Sequence, residues 1–361
     1  MKIKVYPKSK WREIFDDLKL RLERGEFPVS TSFYTMDDIC QKFHVSRITA
    51  RRVFQELKNE GWILPVRRRG AIVTRSHVPK DIFFIVGSAF LEEHSSATSD
   101  YFVINQLLKG LHAKEKFYNV KITTIGHRFF FSHLQSFISK DVLMAAQLLY
   151  DFRDWFEKHP SIFQCLKLDV TPVLIHSFEK YEGFSMTRTD YEKGIRLAVE
   201  HLISKGHKNI AYLTRDINFP TFYLRFRGFI DALKDNRISL DTNFIKVTPD
   251  VERTRTWQSV RKILSLKKKP TAIVCASDVL AMNVLEYCEK NGLKVPEDLA
   301  VTGFDNRGET EFSVPPLTTV DSKLEQQAEK AVEFIIQRTK AKVSEPVVIN
   351  LEPELIVRES T

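Results

Sequence analysis

The residues of this sequence that are best suited to chemistry are basic, and many lie in one short stretch. Over residues 46–57, apolar side chains recur at the i, i+3, i+4, i+7 spacing of a helix that packs on one face. The remaining surface carries guanidinium groups and hydroxyls, which suit hydrogen bonding to phosphates and base edges in a DNA major groove. The residues that we predict to contact DNA here are Ser46, which also caps the helix, Arg47, Thr49, Arg51 and Arg52. The alternative is an ordinary surface helix with hydrated arginines.

A second basic group follows this helix. Arg67, Arg68, Arg69 and Gly70 stand between two short β-prone runs, 62–64 and 71–73. Two strands joined by a basic, glycine-tipped loop form a wing, whose tip can press on a phosphate backbone or enter a minor groove. A hydrated surface loop is the alternative for the arginine triplet. Beside a basic helix, the pattern favours DNA contact.

Two other helices are predicted ahead of the basic one. Apolar residues at helical spacing over 11–24 end at Gly25, a residue typical of helix C-termini. Residues 35–43 form the second helix, with Asp37 and Asp38 in its first turn, where the helix dipole favours negative charge. Two helices, a short turn and a basic third helix are the arrangement of a helix-turn-helix.

The excess positive charge is confined to the first 80 residues. The formal net charge is +9; residues 1–80 contain 18 Lys and Arg against 9 Asp and Glu, and the rest contains 37 of each. A small basic segment joined to a large neutral body suggests a polyanion-binding module attached to a part with another task. We predict a DNA-binding domain over 1–76, a linker over 77–80 and a larger domain over 81–361.

The composition, 43% hydrophobic and 28% charged, is that of a soluble globular protein. We find no leader sequence and no apolar run near the roughly 18 residues of a membrane span. Cys40, Cys165, Cys275 and Cys288 form no Cys-x-x-Cys pair, which favours buried thiols in a reducing compartment. We therefore expect a cytoplasmic protein that does not associate with membranes.

Strand and helix patterns alternate over 81–361, which predicts an α/β fold with parallel sheets covered by helices on both faces. About 280 residues of this kind are more naturally two lobes than one. We assign no order to residues 126–170, which are rich in Phe and lack clear turn signals. The predicted class is an N-terminal winged helix-turn-helix followed by a two-lobed, doubly wound domain.

Polar residues follow several of the predicted strands, where ligands of such folds bind. Asp278, Asp305 and His176 each come after a strand, and Arg225 opens the helix after another. A carboxylate and a guanidinium in one cleft suit a polyol such as a sugar, and Phe219 and Phe222, in the loop before Arg225, can supply apolar faces. The alternative for Asp278 is a helix cap.

The sequence contains no phosphate-binding glycine loop, no nucleophile elbow and no metalloprotease motif. We expect no metal, no cofactor and no enzymatic activity. A sugar-modifying enzyme with a DNA-binding appendage is the alternative, and a transport-type binding protein is disfavoured by the basic helix.

The first segment resembles the GntR family of winged-helix regulators, through Ser46-Arg47-x-Thr49-x-Arg51, Gly61 and Arg69-Gly70-x-x-Val73. The resemblance implies DNA contacts from the start of the recognition helix and from the wing. Asp37 departs from the family pattern, because it stands where members have an arginine that contacts the DNA backbone. We expect Arg51, Arg52 and the wing to carry more of the contact instead.

Residues 170–361 resemble the effector domain of LacI/GalR-type regulators, which has the periplasmic-binding-protein (type I) fold. The matching runs are Asp190-Tyr191-x-x-Gly194, Arg225-x-x-Gly228-Phe229, Ser277-Asp278-x-x-Ala281, Gly303-Phe304-Asp305-Asn306 and Pro316-Leu317-Thr318-Thr319-Val320. The resemblance implies effector contacts from Arg225 and Asp278, with His176 and Asp321 lining the same cleft. Ser88 and Thr221 complete the predicted ligand-binding set, although the family's usual motif after the first strand is replaced around Ser88.

Together these features predict a regulator that binds double-stranded DNA under the control of a small polar effector, a sugar or sugar derivative. A single winged helix reads a short half-site, so we expect a homodimer on a palindromic operator. Repression relieved by the effector is the commoner arrangement in the resembled families.

Overall fold

The computed structural model of the protein describes residues 9–23, 25–28, 30–66, 70–74, 80–86, 98–137, 140–145, 172–177, 183–215, 217, 220–341 and 345–361. The chain forms two compact units. The first comprises Met1–Thr187 and Leu324–Ile349, and the second comprises Arg188–Lys323 and Asn350–Thr361. The polypeptide therefore passes from one unit to the other three times.

The N-terminal part of the first unit is a winged helix-turn-helix. Its elements are α1 (Lys10–Glu23), β1 (Ser32–Phe33), α2 (Met36–Phe43), α3 (Arg47–Asn59), β2 (Ile63–Val66) and β3 (Gly70–Val73). The strands form an antiparallel sheet in the order β1-β3-β2. The predicted helices and wing strands are confirmed, whereas the two-residue β1 was missed because it is too short to show alternation.

The core of this winged helix comes from the predicted apolar stripes. Leu18 of α1, Ile39 of α2 and Leu57 of α3 are fully buried against residues of the sheet such as Val73. Burial of side chains of this size contributes roughly 1.5–3 kcal/mol each. Thr35 and Asp38 form a reciprocal capping box at the start of α2, and His44 ends the helix in a left-handed conformation before α3.

The rest of the first unit is an α/β sheet in which most of the strands run parallel. Its elements are β4 (Lys80–Val86), α4 (Thr98–Tyr118), β5 (Val120–Gly126), α5 (His127–Ser132), β6 (Asp141–Ala145), β7 (Val173–Ile175), β8 (Met186–Thr189), α10 (Leu324–Ala341) and β14 (Val348–Leu351). The strand order is β14-β8-β7-β6-β4-β5. Phe84 and Leu107 belong to the core under α4 and α10, and Ile85 and Phe130 to the core of the other face. The sheet is thus covered on both sides, as predicted.

The second unit repeats this plan with a smaller sheet. Its elements are α6 (Tyr191–Ser204), β9 (Ile210–Thr214), α7 (Pro220–Asp235), β10 (Ile245–Val247), α8 (Arg253–Leu264), β11 (Ala272–Cys275), α9 (Asp278–Lys290), β12 (Ala300–Thr302), β13 (Thr319–Asp321) and β15 (Glu354–Ile356). The parallel strands run in the order β10-β9-β11-β12, and β13 pairs with β15. Helices α8 and α9 cover one face, and Tyr212 stacks on Phe229 of α7 on the other.

Several sequence predictions need correction. Arg225 does not open α7, and Phe222 is not in the preceding loop, because the helix begins at Pro220. Proline has no backbone N–H to leave unsatisfied and its φ is already helical, so it favours the first turn. Residues 126–170, to which no order was assigned, contain α5 and the parallel strand β6. Cys40 is half-buried rather than buried, and Cys165 lies outside the described residues.

Candidate functional site

Helix α3 presents the predicted DNA-contacting residues on its solvent side. Ser46 is the N-cap, and its hydroxyl accepts a hydrogen bond from the Thr49 N–H at 3.3 Å. Arg47, Arg51 and Arg52 are exposed, and Thr49 is half-buried beside the cap. The structure therefore places the predicted side chains on one accessible helix in a winged helix-turn-helix, the position from which such helices enter a major groove.

Two of these arginines have partners within the winged helix. The Arg52 guanidinium lies 4.1 Å from the centroid of the Trp11 ring, a cation–π contact that orients it along α1. Arg47 Nη2 lies 3.4 Å from Asp37 Oδ1, and both side chains are about 70% exposed. Asp37, the departure noted in the sequence, thus places a carboxylate next to a predicted DNA-contacting arginine.

Replacing Asp37 with asparagine is expected to tighten DNA binding a fewfold. An exposed ion pair contributes only about 0–1 kcal/mol to folding, whereas a carboxylate beside phosphates opposes binding. The measurement is a fluorescence-anisotropy titration of a DNA duplex at two salt concentrations. Asp17→Asn, an exposed acidic residue of α1, is the matched control. Weaker binding by Asp37→Asn would mean that Asp37 holds Arg47 in its binding conformation.

Only part of the wing is described. Gly70 begins β3 with φ +84°, a conformation that favours glycine, and a Cβ there would lie 3.0 Å from Thr35 Cγ2. The glycine is therefore required by the backbone at the base of the wing, whatever its role toward DNA. Arg67, Arg68 and Arg69 lie outside the described residues, so their predicted contacts stay predictions.

The second candidate site lies at the carboxyl ends of three neighbouring strands in the second unit. Arg225 follows β9 in the second turn of α7, Asp278 follows β11 and Asp305 follows β12. Arg225 is buried; its Nη2 donates to Asp305 Oδ1 at 2.9 Å, and its Nη1 donates to the carbonyl of Ala276. Parallel strands bring their carboxyl ends to one edge of a sheet, which is why residues far apart in sequence meet here.

Aromatic rings hold the guanidinium of Arg225 in place. Its Cζ lies 3.9 Å from the ring centroid of Phe304, 5.1 Å from that of Tyr191 and 5.5 Å from that of Phe222. Such contacts strengthen where the cation is removed from water. Phe222, predicted to offer an apolar face to a ligand, packs against Arg225 from the first turn of α7, beside the buried Thr221.

Asp278 is fully buried and does not act as a helix cap. Its Oδ2 accepts from the backbone N–H of Arg307 at 2.7 Å, and its Oδ1 accepts from the hydroxyl of Thr319. Gly303 makes this possible, because a Cβ at that position would lie 2.2 Å from Asp278 Oδ1. The carboxylate therefore ties β11, β12 and β13 together, and the cap interpretation was wrong.

The environment of these two carboxyl groups favours protonation. Burial, and then the charge of Asp305, raise the pKa of Asp278 from 3.8 to about 7. Burial also raises the pKa of Asp305, against the opposing effect of Arg225. Burial therefore raises the pKa of both carboxyl groups above the usual value for aspartate.

Asp278→Asn is expected to remove part of the pH dependence of stability. Because the folded-state pKa of Asp278 lies above its unfolded value, the contribution of this group is complete at low pH. It is lost as pH rises from about 4 through 7, with a slope of up to about 1.4 kcal/mol per pH unit. Urea unfolding at pH 5, 6, 7 and 8 measures how the free energy of unfolding depends on pH. Asp298→Asn, a substitution of an exposed aspartate, is the control. An unchanged slope in Asp278→Asn would show that the carboxyl ionises as freely when folded as when unfolded.

The other predicted ligand-binding residues fall in three groups. Asp321 ends β13 and is engaged by Lys323, whose backbone N–H donates to Oδ1 at 2.7 Å and whose Nζ lies 3.1 Å from Oδ2. His176 is buried at the end of β7 in the first unit, with φ +61°. Ser88 and Phe219 lie outside the described residues.

The sequence interpretation missed three members of this site. Thr319 and the Arg307 N–H bind Asp278, and Tyr191 stacks on Phe304 under Arg225. Ser277, beside Asp278, has a buried hydroxyl with no hydrogen-bond partner among the described residues, and the same holds for Nε of Arg225. Tyr191 and Thr319 stand in the runs that carry the family resemblance, so their places were visible although their contacts were not.

The fold and this site define the class: a winged helix-turn-helix joined to a periplasmic-binding-protein-like (type I) α/β domain. Residues 199–361 match the family model described as a periplasmic binding protein-like domain. Among the residues that the structure describes, none of the helices is long and apolar enough to cross a membrane.

Known proteins similar to this chain include transcriptional repressors. It is 30% identical over 168 residues to the HTH-type transcriptional repressor PurR of Mannheimia succiniciproducens, covering 46% of this chain and 50% of that protein. It is 36% identical over 171 residues to PurR of Aliivibrio fischeri, covering 47% and 50%. The matched stretch thus spans about half the length of these relatives.

Solved structures share the fold across most of the chain. A transcriptional regulator CelR–cellobiose complex aligns with a TM-score of 0.61 at 21% identity, covering 88% of this chain and 92% of that one. A LacI family transcriptional regulator from Enterococcus faecium with bound ribose aligns with a TM-score of 0.61 at 22% identity, covering 78% and 98%. At these identities the likeness concerns the fold.

Proposed function

We propose that this protein is a DNA-binding transcriptional repressor whose operator affinity is controlled by a small polar ligand, a sugar or sugar derivative. The observation that carries the proposal is the joining, in one chain, of an exposed basic helix in a winged helix-turn-helix to a periplasmic-binding-type domain with buried Arg225 and Asp278 and a half-buried Asp305. Relatives named as repressors, and similar folds solved with ribose or cellobiose, support the same function.

We assign the proposed functions to the domains predicted from the sequence. Residues 1–76 form a GntR-type DNA-binding domain, 77–80 a linker whose last residue, Lys80, already belongs to β4, and 81–361 the effector-binding and dimerisation domain. The three arginines of α3 and the wing contact DNA. Arg225 and the polar groups around it bind the effector. The protein acts in the cytoplasm as a homodimer on a palindromic operator, because one winged helix covers only a short half-site.

The chemistry of the second-unit site suits a polyol. Ligand hydroxyls both donate and accept, so they can satisfy the unpaired Ser277 hydroxyl and Arg225 Nε while an acidic group accepts from them. A guanidinium held on aromatic rings offers fixed donors, which gives orientation as well as affinity. An effector that prefers one conformation of the protein shifts operator affinity by its difference in affinity for the two states.

The test combines two measurements on the full chain. A thermal-shift screen of sugars and sugar phosphates identifies ligands, since binding to the native state raises the melting temperature. DNA selected from a random duplex library is then titrated with and without the ligand found, and sedimentation with the same duplex gives the number of subunits bound. Failure to select any duplex sequence would overturn the regulator proposal, and a ligand that leaves DNA affinity unchanged would overturn control by that ligand.

A further inference from the structure

One apolar side chain interrupts the basic surface of α3. Ile48 is 82% exposed, more than any other large hydrophobic residue that the structure describes. It is the second residue of the helix and lies between Arg47 and Thr49 in sequence. An isoleucine held so far into water buries little of its apolar surface in the fold, so the packing of the winged helix does not explain its position.

The helical geometry puts Ile48 at the centre of the solvent face. Ile48 and the fully buried Leu57 are about two and a half turns apart at roughly 3.6 residues per turn, so they point to opposite sides of α3. Arg51 and Arg52 lie one turn after Ile48 on the same side, and Gln55 lies two turns after it. Ile48 is therefore surrounded by the charged and polar groups that would face DNA.

The position along the helix is as informative as the face. In a helix-turn-helix, residues at the N-terminal end of the recognition helix reach the base edges. The only apolar group that a base edge offers in the major groove is the C5-methyl group of thymine. Arginine and threonine side chains can form hydrogen bonds with base edges, whereas a branched aliphatic side chain cannot.

We propose that Ile48 is a specificity-determining residue that packs on a thymine methyl group in each operator half-site. This inference rests on the proposed function, because it requires that α3 enter a major groove. The excess positive charge of residues 1–80 favours DNA as the occupant of this face over an apolar protein partner. The flanking arginines supply the affinity for phosphate and guanine, and Ile48 adds discrimination at one base pair.

The experiment uses the full chain and duplexes selected from a random library. Each thymine of the selected half-site is replaced in turn by uracil, which differs only by the missing methyl group. At one position, uracil is expected to weaken binding about fourfold, the effect of one buried methyl-sized group. Ile48→Ala should bind the thymine and uracil duplexes with equal affinity, since its side chain no longer reaches the methyl group.

Matched controls separate the possible results. Leu20→Ala truncates an exposed aliphatic residue of α1 and should keep the full thymine-to-uracil ratio. Arg51→Ala should lose affinity for both duplexes while keeping the ratio. If Arg51→Ala weakens binding but no position shows a ratio that depends on residue 48, the Ile48 inference is overturned and the proposed function stands. If the protein selects no duplex sequence at all, both are overturned.

Discussion

Replacing Arg225 with methionine is expected to lower the free energy of unfolding by about 3 kcal/mol near neutral pH. The substitution keeps much of the side-chain volume but leaves the Asp305 carboxylate and the Ala276 carbonyl without their donor. An unpaired charge in a buried site is far more costly than a missing exposed ion pair. Urea unfolding of the purified variant and of the unmodified protein gives the difference directly.

The same variant should show a characteristic pH dependence. Without the guanidinium, Asp305 has a higher folded-state pKa, because burial already raises it and Arg225 is the main opposing influence. Its carboxyl group then takes up a proton on acidification, so the loss of stability should be smaller at pH 5 than at pH 8. A loss that is equal at both pH values would show that cavity formation, rather than charge, is responsible.

Two further variants sharpen the interpretation. Arg227→Met removes a guanidinium two residues away that is about half exposed and paired with Glu192, and it should change stability by less than about 1 kcal/mol. Combining Arg225→Met with Asp305→Asn should recover part of the loss, since no charge is then left unpaired. Under the proposed function, Arg225→Met also abolishes the ligand-induced change in DNA affinity while DNA binding without ligand is retained. A variant that still responds normally to ligand would place the effector elsewhere.

Arg51→Ala is expected to weaken binding to the selected duplex by about 1–3 kcal/mol, roughly five- to 160-fold. Arg51 is exposed on the solvent face of α3 next to Arg52 and Ile48, so its loss removes a DNA contact without disturbing the core. Arg47→Ala should act in the same direction. Fluorescence anisotropy at several salt concentrations distinguishes a phosphate contact, which reduces the salt slope by about 1, from a base contact that does not.

Arg255→Ala is the control for this measurement. Arg255 is an equally charged, half-exposed residue of α8 in the second unit, where it pairs with Asp250. Its removal lowers the net charge of the protein by the same amount but should leave duplex affinity within about twofold, since only nearby charges act strongly at physiological salt. Unchanged affinity in both Arg47→Ala and Arg51→Ala would exclude α3 as the recognition helix.

The N-terminal fold could be predicted closely because its signals are local. The apolar spacing of α1 and α3, the Thr35 and Ser46 caps and the glycine at position 70 act within a few residues of where they stand in the chain. The parallel sheets were predicted as a class for the same reason, since helix and strand periods alternate visibly. Strand β6 was missed because a five-residue apolar run between segments without turn signals fits helix and strand equally well.

At the start of α7, the sequence contained a local signal for a helix, but the prediction gave more weight to a loop. Pro220 marked a favourable first helical residue, yet the aromatic residues that follow it were interpreted as a loop that offers ring faces to a ligand. The helix instead begins at the proline, so Arg225 lies in its second turn, where the guanidinium bonds to Ala276 and Asp305 after β11 and β12.

By itself, the sequence determined the class of the protein: a basic winged helix-turn-helix, an α/β body and polar residues following its strands. Only the tertiary structure decided how those residues are used. In the tertiary structure, Asp278 is buried and bonded to Thr319 and the Arg307 N–H, and Arg225 pairs with Asp305. Ile48 faces solvent among arginines. The physical reason is range: caps and periodic stripes depend on neighbours within a turn or two, whereas a buried charge takes its partners from strands that are distant in the chain and adjacent in the sheet.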